Sequence, residues 1–133
     1  MDIRRRAERT SETASSDYFT GDVTAERLFE APDPARTAAV RVTFQPGART
    51  AWHTHPLGQT LYIVEGTGLV QRECGDIETV GVGDVVMFAP GEKHWHGASR
   101  DSMMTHIAIH ERKDGNHVEW LEKVSDDQYE GRG

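Results

Sequence analysis

The sequence predicts an all-β domain built as a barrel or a sandwich. From about residue 18 onward, runs of roughly four to eight residues rich in Val, Ile, Thr and aromatic side chains follow one another. Glycine and proline turn signals separate these runs, a pattern typical of many short antiparallel strands. At 133 residues, the chain has the length of one domain that can enclose its own hydrophobic core.

The first 17 residues differ in composition from the rest of the chain. Residues 1–17 are rich in Arg, Glu, Ser and Thr and show almost no apolar pattern, so we expect a flexible N-terminal arm. Residues 18–133 are expected to form the single domain. Its strands are predicted at Val23–Phe29, Ala38–Phe44, Thr50–His55, Gln59–Glu65, Gly68–Glu73, Ile77–Val80, Val85–Phe88, His94–Ala98 and Met103–His110.

A short helical segment is predicted near the C-terminal end. Apolar residues recur close to helical spacing at Val118, Trp120, Leu121 and Val124. Ser125 and Gln128 then have the spacing of a capping box, which predicts a last short turn around Tyr129.

Charge and hydropathy exclude several classes of partner. The net charge is -7 and the only basic run is Arg4–Arg6, which we interpret as part of a solvated tail, so no nucleic-acid partner is expected. No apolar run approaches the roughly 20 residues that span a bilayer, and no signal-peptide pattern is present, so we expect a cytoplasmic protein without a membrane partner. The lone Cys74 fits a reducing compartment and is expected to be a bystander.

Histidine is the residue type that points to chemistry. His53 and His55 alternate along one predicted strand, so both face the same side and can converge on one ion. Gln59 follows a short turn that brings the next strand back, and His94 comes from a later strand. These four residues are predicted to bind a divalent transition metal; their nitrogen and oxygen donors leave Mn, Fe, Co, Ni and Zn open.

The spacing of these residues resembles the two cupin motifs. Gly47-x5-His53-x-His55-x3-Gln59-x6-Gly66 resembles the first motif, and Gly83-x7-Gly91-x2-His94 resembles the second. The resemblance implies a single antiparallel jelly-roll barrel with the metal inside it. The chain departs from the usual pattern at Gln59, where most cupins have Glu, and also at Ala89 and Ala98.

Gln59 changes the expected chemistry. Three imidazoles and one amide are all neutral, so they leave the double charge of the ion uncompensated. We therefore expect weaker metal binding but a stronger Lewis acid than a set with a carboxylate. The absence of a carboxylate also counts against iron-dependent oxygen chemistry, because non-haem iron oxygenases usually keep one.

Four further residues are candidates for catalysis. His96 lies one strand step beyond His94 and is expected in the same cavity or at its rim. His106 and His110 share one face of a strand; if that face is inward, His106 is a general-base candidate, while His110 either lines the site or is solvated near the strand end. Lys93 could stabilise a developing anion, although a lysine in a turn is usually solvated.

A closer resemblance narrows the function. The runs Pro46–Thr60 and Pro90–Gly97 are similar to a group of small bacterial cupins that includes the manganese-dependent hydroxynitrile lyases. This resemblance implies manganese as the metal and reversible cleavage of a small cyanohydrin to a carbonyl compound and cyanide. In that reaction the metal would stabilise the developing alkoxide, His106 would remove the hydroxyl proton, and His96 or Lys93 would assist cyanide departure.

Two other functions and one assembly are also expected from cupins. A metal-dependent dioxygenase of the quercetinase kind is one alternative, and a non-enzymatic cupin that binds a small ligand is the other. Small cupins commonly pair through their sheets, so the resemblance implies a homodimer or higher homo-oligomer, with Val23–Phe29 as a candidate edge strand.

Overall fold

The computed structural model of the protein describes residues 1–132, and antiparallel strands dominate it. A 3-10 helix covers Arg6–Glu8, and a short helix α1 covers Asp126–Tyr129. The strands are β1 (Glu12–Thr13), β2 (Phe19–Thr20), β3 (Val23–Glu30), β4 (Thr37–Phe44), β5 (Arg49–Thr50), β6 (His53–Thr54), β7 (Gln59–Arg72), β8 (Glu78–Gly81), β9 (Val85–Phe88), β10 (His94–Ala98), β11 (Met104–Glu111) and β12 (Glu119–Trp120).

The strands form two sheets that share β7. The first sheet has the order β1-β3-β4-β11-β7-β9. The second has the order β2-β5-β10-β7-β8, and β6 joins it by pairing with both β10 and β12. Every pairing is antiparallel, which confirms the predicted all-β fold.

β7 corrects the prediction of two separate strands at Gln59–Glu65 and Gly68–Glu73. It is one strand of 14 residues that leaves the first sheet and enters the second. The turn signal at Gly66 produces a bend instead of a reversal, since Gly66 has a φ of +72° and the register with β11 shifts two residues earlier, at Val64. The bend lets one strand close both sheets into a barrel.

The predicted strand Thr50–His55 is also interrupted. It consists of β5 and β6, separated at Ala51 and Trp52, because these two residues bond outside the sheet. The Ala51 N–H donates to the Tyr18 carbonyl, and the Trp52 N–H donates to the carbonyl of Glu122 near the C-terminal end. The break draws both ends of the chain towards the same region of the barrel.

The predicted helical spacing over Val118–Val124 does not form a helix, and the helix of this region covers only Asp126–Tyr129. Glu119–Trp120 forms β12 and pairs with β6, so contacts with the barrel override the local helical spacing. The capping box is confirmed: the Ser125 side chain accepts from the Gln128 N–H, and the Gln128 side chain accepts from the Ser125 N–H. Helix α1 therefore begins where the sequence predicts its last turn.

The barrel interior changes character along its length. On β11, the inward side chains run from Met104 through His106 and Ala108 to His110, and all four are buried. The apolar end is filled by buried side chains from both sheets, among them Val23, Phe44, Leu61, Ile63 and Val70. The interior is thus a packed core at one end and a histidine-lined cavity towards the other.

The N-terminal arm contacts β3 of the first sheet through β1 and through an ion pair between Arg9 and Glu26 at 3.9 Å. Glu12 and Thr13 pair with Ala25 and Thr24 of β3, so part of residues 1–17 extends that sheet. The flexibility of the arm and the domain boundary at residue 17 stay predictions. Across residues 1–132, no helix has the length and apolar character to cross a bilayer.

Candidate metal centre

Three of the four predicted metal ligands are histidines that meet inside the barrel. His53 on β6 and His94 on β10 are cross-strand partners, and their ring centroids are 4.3 Å apart. The His55 ring lies 5.0 Å from the ring of His53 and 5.4 Å from that of His94. All three side chains are buried. The spacing in the sequence therefore brought three neighbouring histidines together, and their role as metal ligands stays a prediction.

Each of these histidines is oriented by a backbone carbonyl. The Nδ1 atoms of His53 and His94 lie 2.8 Å from the carbonyl oxygens of Ala51 and Glu92, and His55 Nδ1 lies 2.7 Å from that of His117. A carbonyl oxygen only accepts, so each Nδ1 carries the hydrogen and each Nε2 keeps its lone pair. Metal-binding histidines are commonly held in this way.

Several polar atoms at the centre have no hydrogen-bond partner within residues 1–132. They include His55 Nε2, His94 Nε2 and Gln59 Oε1, all buried. An unsatisfied buried polar atom costs about 1–3 kcal/mol, so such atoms rarely gather without a ligand. Gln59 lies beside His55, and its amide oxygen adds to the imidazole nitrogens. The donor set fits a divalent first-row transition metal.

His96 belongs to the same cluster. The candidate ligand atoms of His53, His94 and His96 all lie within 4.8 Å of one another. The sequence placed His96 only in the cavity or at its rim, whereas the structure brings it as close as a ligand. The cluster can therefore hold a metal through three histidines, with His55 and Gln59 beside them.

Burial keeps the histidines of the centre neutral. It lowers the pKa of His94 to about 3 and that of His55 to about 4. The pKa of His53 is also well below its ordinary value, first because of burial and then because of repulsion from His94 and His55. Neutral imidazoles keep the lone pairs that a metal requires, so the centre can bind a cation at neutral pH.

His96 and His106 form a buried pair behind the cluster. His106 Nε2 lies 3.2 Å from His96 Nδ1, so one nitrogen donates a hydrogen to the other. The outer nitrogens, His96 Nε2 and His106 Nδ1, have no partner in the described chain. Burial lowers the pKa of His106 to about 4 and that of His96 well below its ordinary value. The pair is therefore neutral at neutral pH, and one of its outer nitrogens carries a free lone pair.

His110 lies at the mouth of the centre and is not a solvated strand end. Its ring is buried and stacks on His117 at 4.0 Å, and it is 6.3 Å from the ring of His55. His110 and Gln59 line a half-open cavity of about 520 Å³ together with apolar side chains. The apolar part comprises Leu57, Met87, Phe88, Pro90 and Ile109. A small, partly apolar molecule fits this entrance.

Lys93 is not brought together with the histidines. Its Nζ lies 2.6 Å from Glu122 and 3.2 Å from Glu73, and it sits over the Trp52 ring at 5.4 Å. Because Lys93 directly precedes the inward-facing His94, alternation turns it to the outside of the barrel. It has no place in the function proposed below.

Two contributors were missed by the sequence reasoning. The His117 carbonyl orients His55, and the Trp120 ring lies 4.8 Å from the ring of His53. A backbone carbonyl has no signature in a sequence, and Trp120 had been interpreted as part of a helical face. No spacing in the sequence reveals the role of the carbonyl. For Trp120 there was a weak signal, namely an aromatic residue close in sequence to His117.

Comparison with known proteins agrees with this architecture. Residues 40–110 match the Cupin_2 family model, described as a cupin domain. The chain is 57% identical over 129 residues to a protein named (R)-mandelonitrile lyase from Granulicella tundricola, covering 97% of this chain and 98% of that protein.

Solved structures give the same picture of the fold. A cupin-like protein from Thermotoga maritima superposes with a TM-score of 0.84 at 36% identity, covering 99% of this chain and 97% of its own. The polyketide cyclase RemF from Streptomyces resistomycificus superposes with a TM-score of 0.75 at 22% identity, covering 98% of this chain and 91% of its own, and supports the fold alone. On the barrel, the two motifs and these matches, the chain belongs to the cupin family.

Proposed function

We propose that this cupin is a metal-dependent lyase that cleaves or forms a small cyanohydrin. The observation that carries the proposal is the buried pair of His96 and His106, which provides a proton acceptor beside a histidine cluster able to hold a metal. The 57% identity to a protein named (R)-mandelonitrile lyase, over nearly the whole of both chains, supports the same reaction.

In this proposal His53, His55, Gln59 and His94 hold a divalent transition metal, with manganese as the expected ion. Such an ion supplies Lewis-acid polarisation of a substrate oxygen, without a change of oxidation state. Its all-neutral ligands favour that role over oxygen activation, in which a carboxylate ligand is usual. The unpartnered Nε2 atoms and the Gln59 oxygen are the features that support this assignment.

The protein's own residues then move the proton. With the shared hydrogen on His96 Nδ1 and donated to His106 Nε2, His96 Nε2 has the lone pair that accepts the cyanohydrin hydroxyl proton. As the C–O bond becomes a carbonyl, the C–C bond to the nitrile breaks and its electron pair leaves with cyanide. His96 returns the proton to give hydrogen cyanide, and His106 stabilises the imidazolium between these two transfers.

The cavity at the mouth would position the substrate. His110 and Gln59 contribute its polar part, while Leu57, Phe88 and Pro90 provide apolar contacts for the substituent of a cyanohydrin. A partly enclosed apolar site excludes water from the reacting centre, which strengthens the hydrogen bonds that orient the hydroxyl group. The His96–His106 pair is already neutral because of burial, so the protein does not need an alkaline solution to work.

The test is mandelonitrile cleavage, followed by benzaldehyde release. We expect turnover by protein loaded with manganese and its loss after chelation. His106→Ala should lower kcat by about 10²–10⁴-fold, the usual contribution of general acid–base catalysis, with metal content unchanged. His96→Ala should lower kcat by at least as much, and its metal content should fall as well if His96 is one of the ligands, since His96 lies within ligand distance of His53 and His94. Lys93→Ala is the matched control and should remain active. Equal turnover by the stripped protein would contradict the proposal, and oxygen uptake by iron-loaded protein without cyanide release would favour a dioxygenase.

A further inference from the structure

The three carbonyls that orient the histidines of the metal centre differ in where they come from. His53 and His94 bond to Ala51 and Glu92, each two residues earlier on its own stretch of chain. His55 bonds to the carbonyl of His117, 62 residues away. The orientation of His55 is therefore the one among these three that depends on a distant part of the fold.

His117 begins a segment that crosses the end of the barrel. We define residues 117–129 as the C-terminal strap; it lies beyond the stretch matched by the cupin family. Trp52 exchanges two backbone hydrogen bonds with it, accepting from Leu121 at 2.8 Å and donating to Glu122 at 2.9 Å. Within the strap, the Trp120 ring stacks on Tyr18 at 4.9 Å and lies against His53. The strap thus covers the ligand-bearing turn.

Arg49 anchors the far end of the strap to the barrel. Its Nη2 atom donates to the Val124 carbonyl at 2.9 Å and to Asp126 Oδ1 at 2.8 Å, and its guanidinium lies 4.7 Å from the centre of the Tyr129 ring. The Tyr129 hydroxyl in turn donates to the Ala98 carbonyl at 2.7 Å. Arg49 is only 5% exposed, although it is charged. Arg49 therefore contacts the strap at Val124, Asp126 and Tyr129, and it holds the strap against the barrel instead of serving as a solvated surface charge.

We propose that Arg49 is a positioning residue for the metal centre, acting through the strap to hold the His117 carbonyl against His55. This inference rests on the proposed metal-ligand set but not on the identity of the reaction. It assigns His55, and neither His53 nor His94, as the ligand whose ring orientation and tautomer depend on the strap. A purely structural role for Arg49 would instead affect the three histidines alike.

The test begins with the wild-type protein without metal. Histidine ¹⁵N NMR reports which ring nitrogen carries the hydrogen, and we expect His53, His55 and His94 all to be protonated at Nδ1. In Arg49→Met, His55 should shift towards a mixture of tautomers while His53 and His94 keep their signals. The control is Arg41→Met on β4, which removes an ion pair with Glu65 and leaves the strap untouched.

Calorimetric titration with Mn²⁺ gives the second readout. Loss of an outer-shell partner typically weakens metal affinity by about 10–100-fold, and we expect that range for Arg49→Met and no change for Arg41→Met. A folded Arg49→Met protein with wild-type affinity and an unchanged His55 signal would overturn the proposal. A wild-type His55 ring protonated at Nε2 or averaged between tautomers would also overturn it, because it contradicts the His117 contact. If Arg49→Met does not fold, Asp126→Ala replaces it, since it removes the exposed acceptor of Arg49 Nη2, and a folded Asp126→Ala protein with an unchanged His55 signal and unchanged Mn²⁺ affinity would overturn the proposal. A lack of cyanohydrin cleavage would contradict the proposed function. It would not affect the test of Arg49, which depends on the His55 signal and the Mn²⁺ affinity.

Discussion

Gln59 is the side chain that sets the electrostatics of the centre. Its Oε1 atom is buried without a hydrogen-bond partner in the described chain, next to histidines that burial keeps neutral. A glutamate at this position would place a negative charge among neutral groups in a dry cavity. Such a charge is costly alone but strongly stabilised by a cation. In the proposed centre, the amide of Gln59 therefore means that the ligands contribute no negative charge to the metal.

Gln59→Glu should separate metal binding from turnover. We expect the metal dissociation constant to stay equal or become smaller, because the carboxylate cancels one unit of the ion's charge. Cleavage should become slower, since the same cancellation weakens Lewis-acid polarisation. Calorimetry with Mn²⁺ and the mandelonitrile assay measure the two quantities. A Gln59→Glu protein that folds but no longer binds metal would contradict the ligand assignment.

At the residue scale, the grouping of the histidine side chains could be predicted from their spacing in the sequence. The backbone carbonyls that orient them could not. Alternation within one strand placed His53 and His55 together, and the motif placed His94 opposite them. The same alternation, counted from His94, turns Lys93 outward, so Lys93 was a weaker candidate than its nearness in sequence suggested. The His117 carbonyl is invisible in a sequence, since every residue carries one.

Among the elements, β7 does the most to shape the barrel. Its first part pairs with β9 and β11, and its second part pairs with β8 and β10. The bend lies at Gly66, where an added Cβ would collide with the Met103 carbonyl. A left-handed backbone conformation and a close backbone approach both require glycine here.

Gly66→Ala should therefore destabilise the barrel strongly. We expect the free energy of unfolding to fall by at least about 2 kcal/mol, from backbone strain at positive φ together with the collision. Urea denaturation followed by tryptophan fluorescence measures the change. Gly81→Ala is the control, because Gly81 has open space around its Cα and no positive φ, and it should behave like the wild type. Equal stabilities of the two variants would show that the bend does not depend on glycine.

Element prediction succeeded where local pattern and tertiary contacts agreed. β3, β4, β9, β10 and β11 lie within one or two residues of their predicted bounds, because apolar alternation matches their buried faces. It failed at Glu119–Trp120, where apolar residues near helical spacing instead pair as a strand with β6. There the partners lie more than sixty residues away, and a local pattern carries no information about them.

At the scale of the whole molecule, folding lowers the pKa of all seven histidines, which favours their uncharged form at neutral pH. Burial is the largest cause of the lowered pKa for every one of them, from His53 to His117. In the unfolded chain the same side chains titrate near 6.5. Acid therefore adds more protons to the unfolded state than to the folded state.

The metal-free protein should lose stability as the pH falls from about 6.5 towards 4. The unfolded histidines protonate first, so the free energy of unfolding drops by about 1.4 kcal/mol per pH unit for each extra proton they bind. The loss should become less steep near pH 4, where His55, His106 and His110 protonate in the folded state. It should continue below pH 4, because the pKa of His94 is about 3 and those of His53 and His96 are well below their ordinary value. Melting temperatures of chelator-treated protein across pH 4–8 check this. A melting temperature that stays constant over the range would contradict neutral burial of the cluster.

The outer face of the first sheet exposes several apolar side chains. Tyr62 and Val85 are cross-strand partners there, as are Thr60 and Met87, and Tyr62, Val85 and Met87 are exposed. An apolar sheet face is compatible with the homodimer or higher homo-oligomer implied by the family resemblance. That assembly and the cytoplasmic location stay predictions.

The position of β11 has a consequence for the order in which the molecule is made. β11 lies between β4 and β7, so residues 104–111 enter between two strands that were synthesised long before them. Until they arrive, a nascent chain holds His53 and His55 without the wall that carries His106, and His55 still awaits its partner carbonyl at His117. Such non-local pairing predicts folding in milliseconds to seconds. The proposed metal ligands have all emerged by His94, but the wall with His106 and the carbonyl that orients His55 are added only with the last part of the chain. The centre therefore reaches its final geometry late, when the barrel closes.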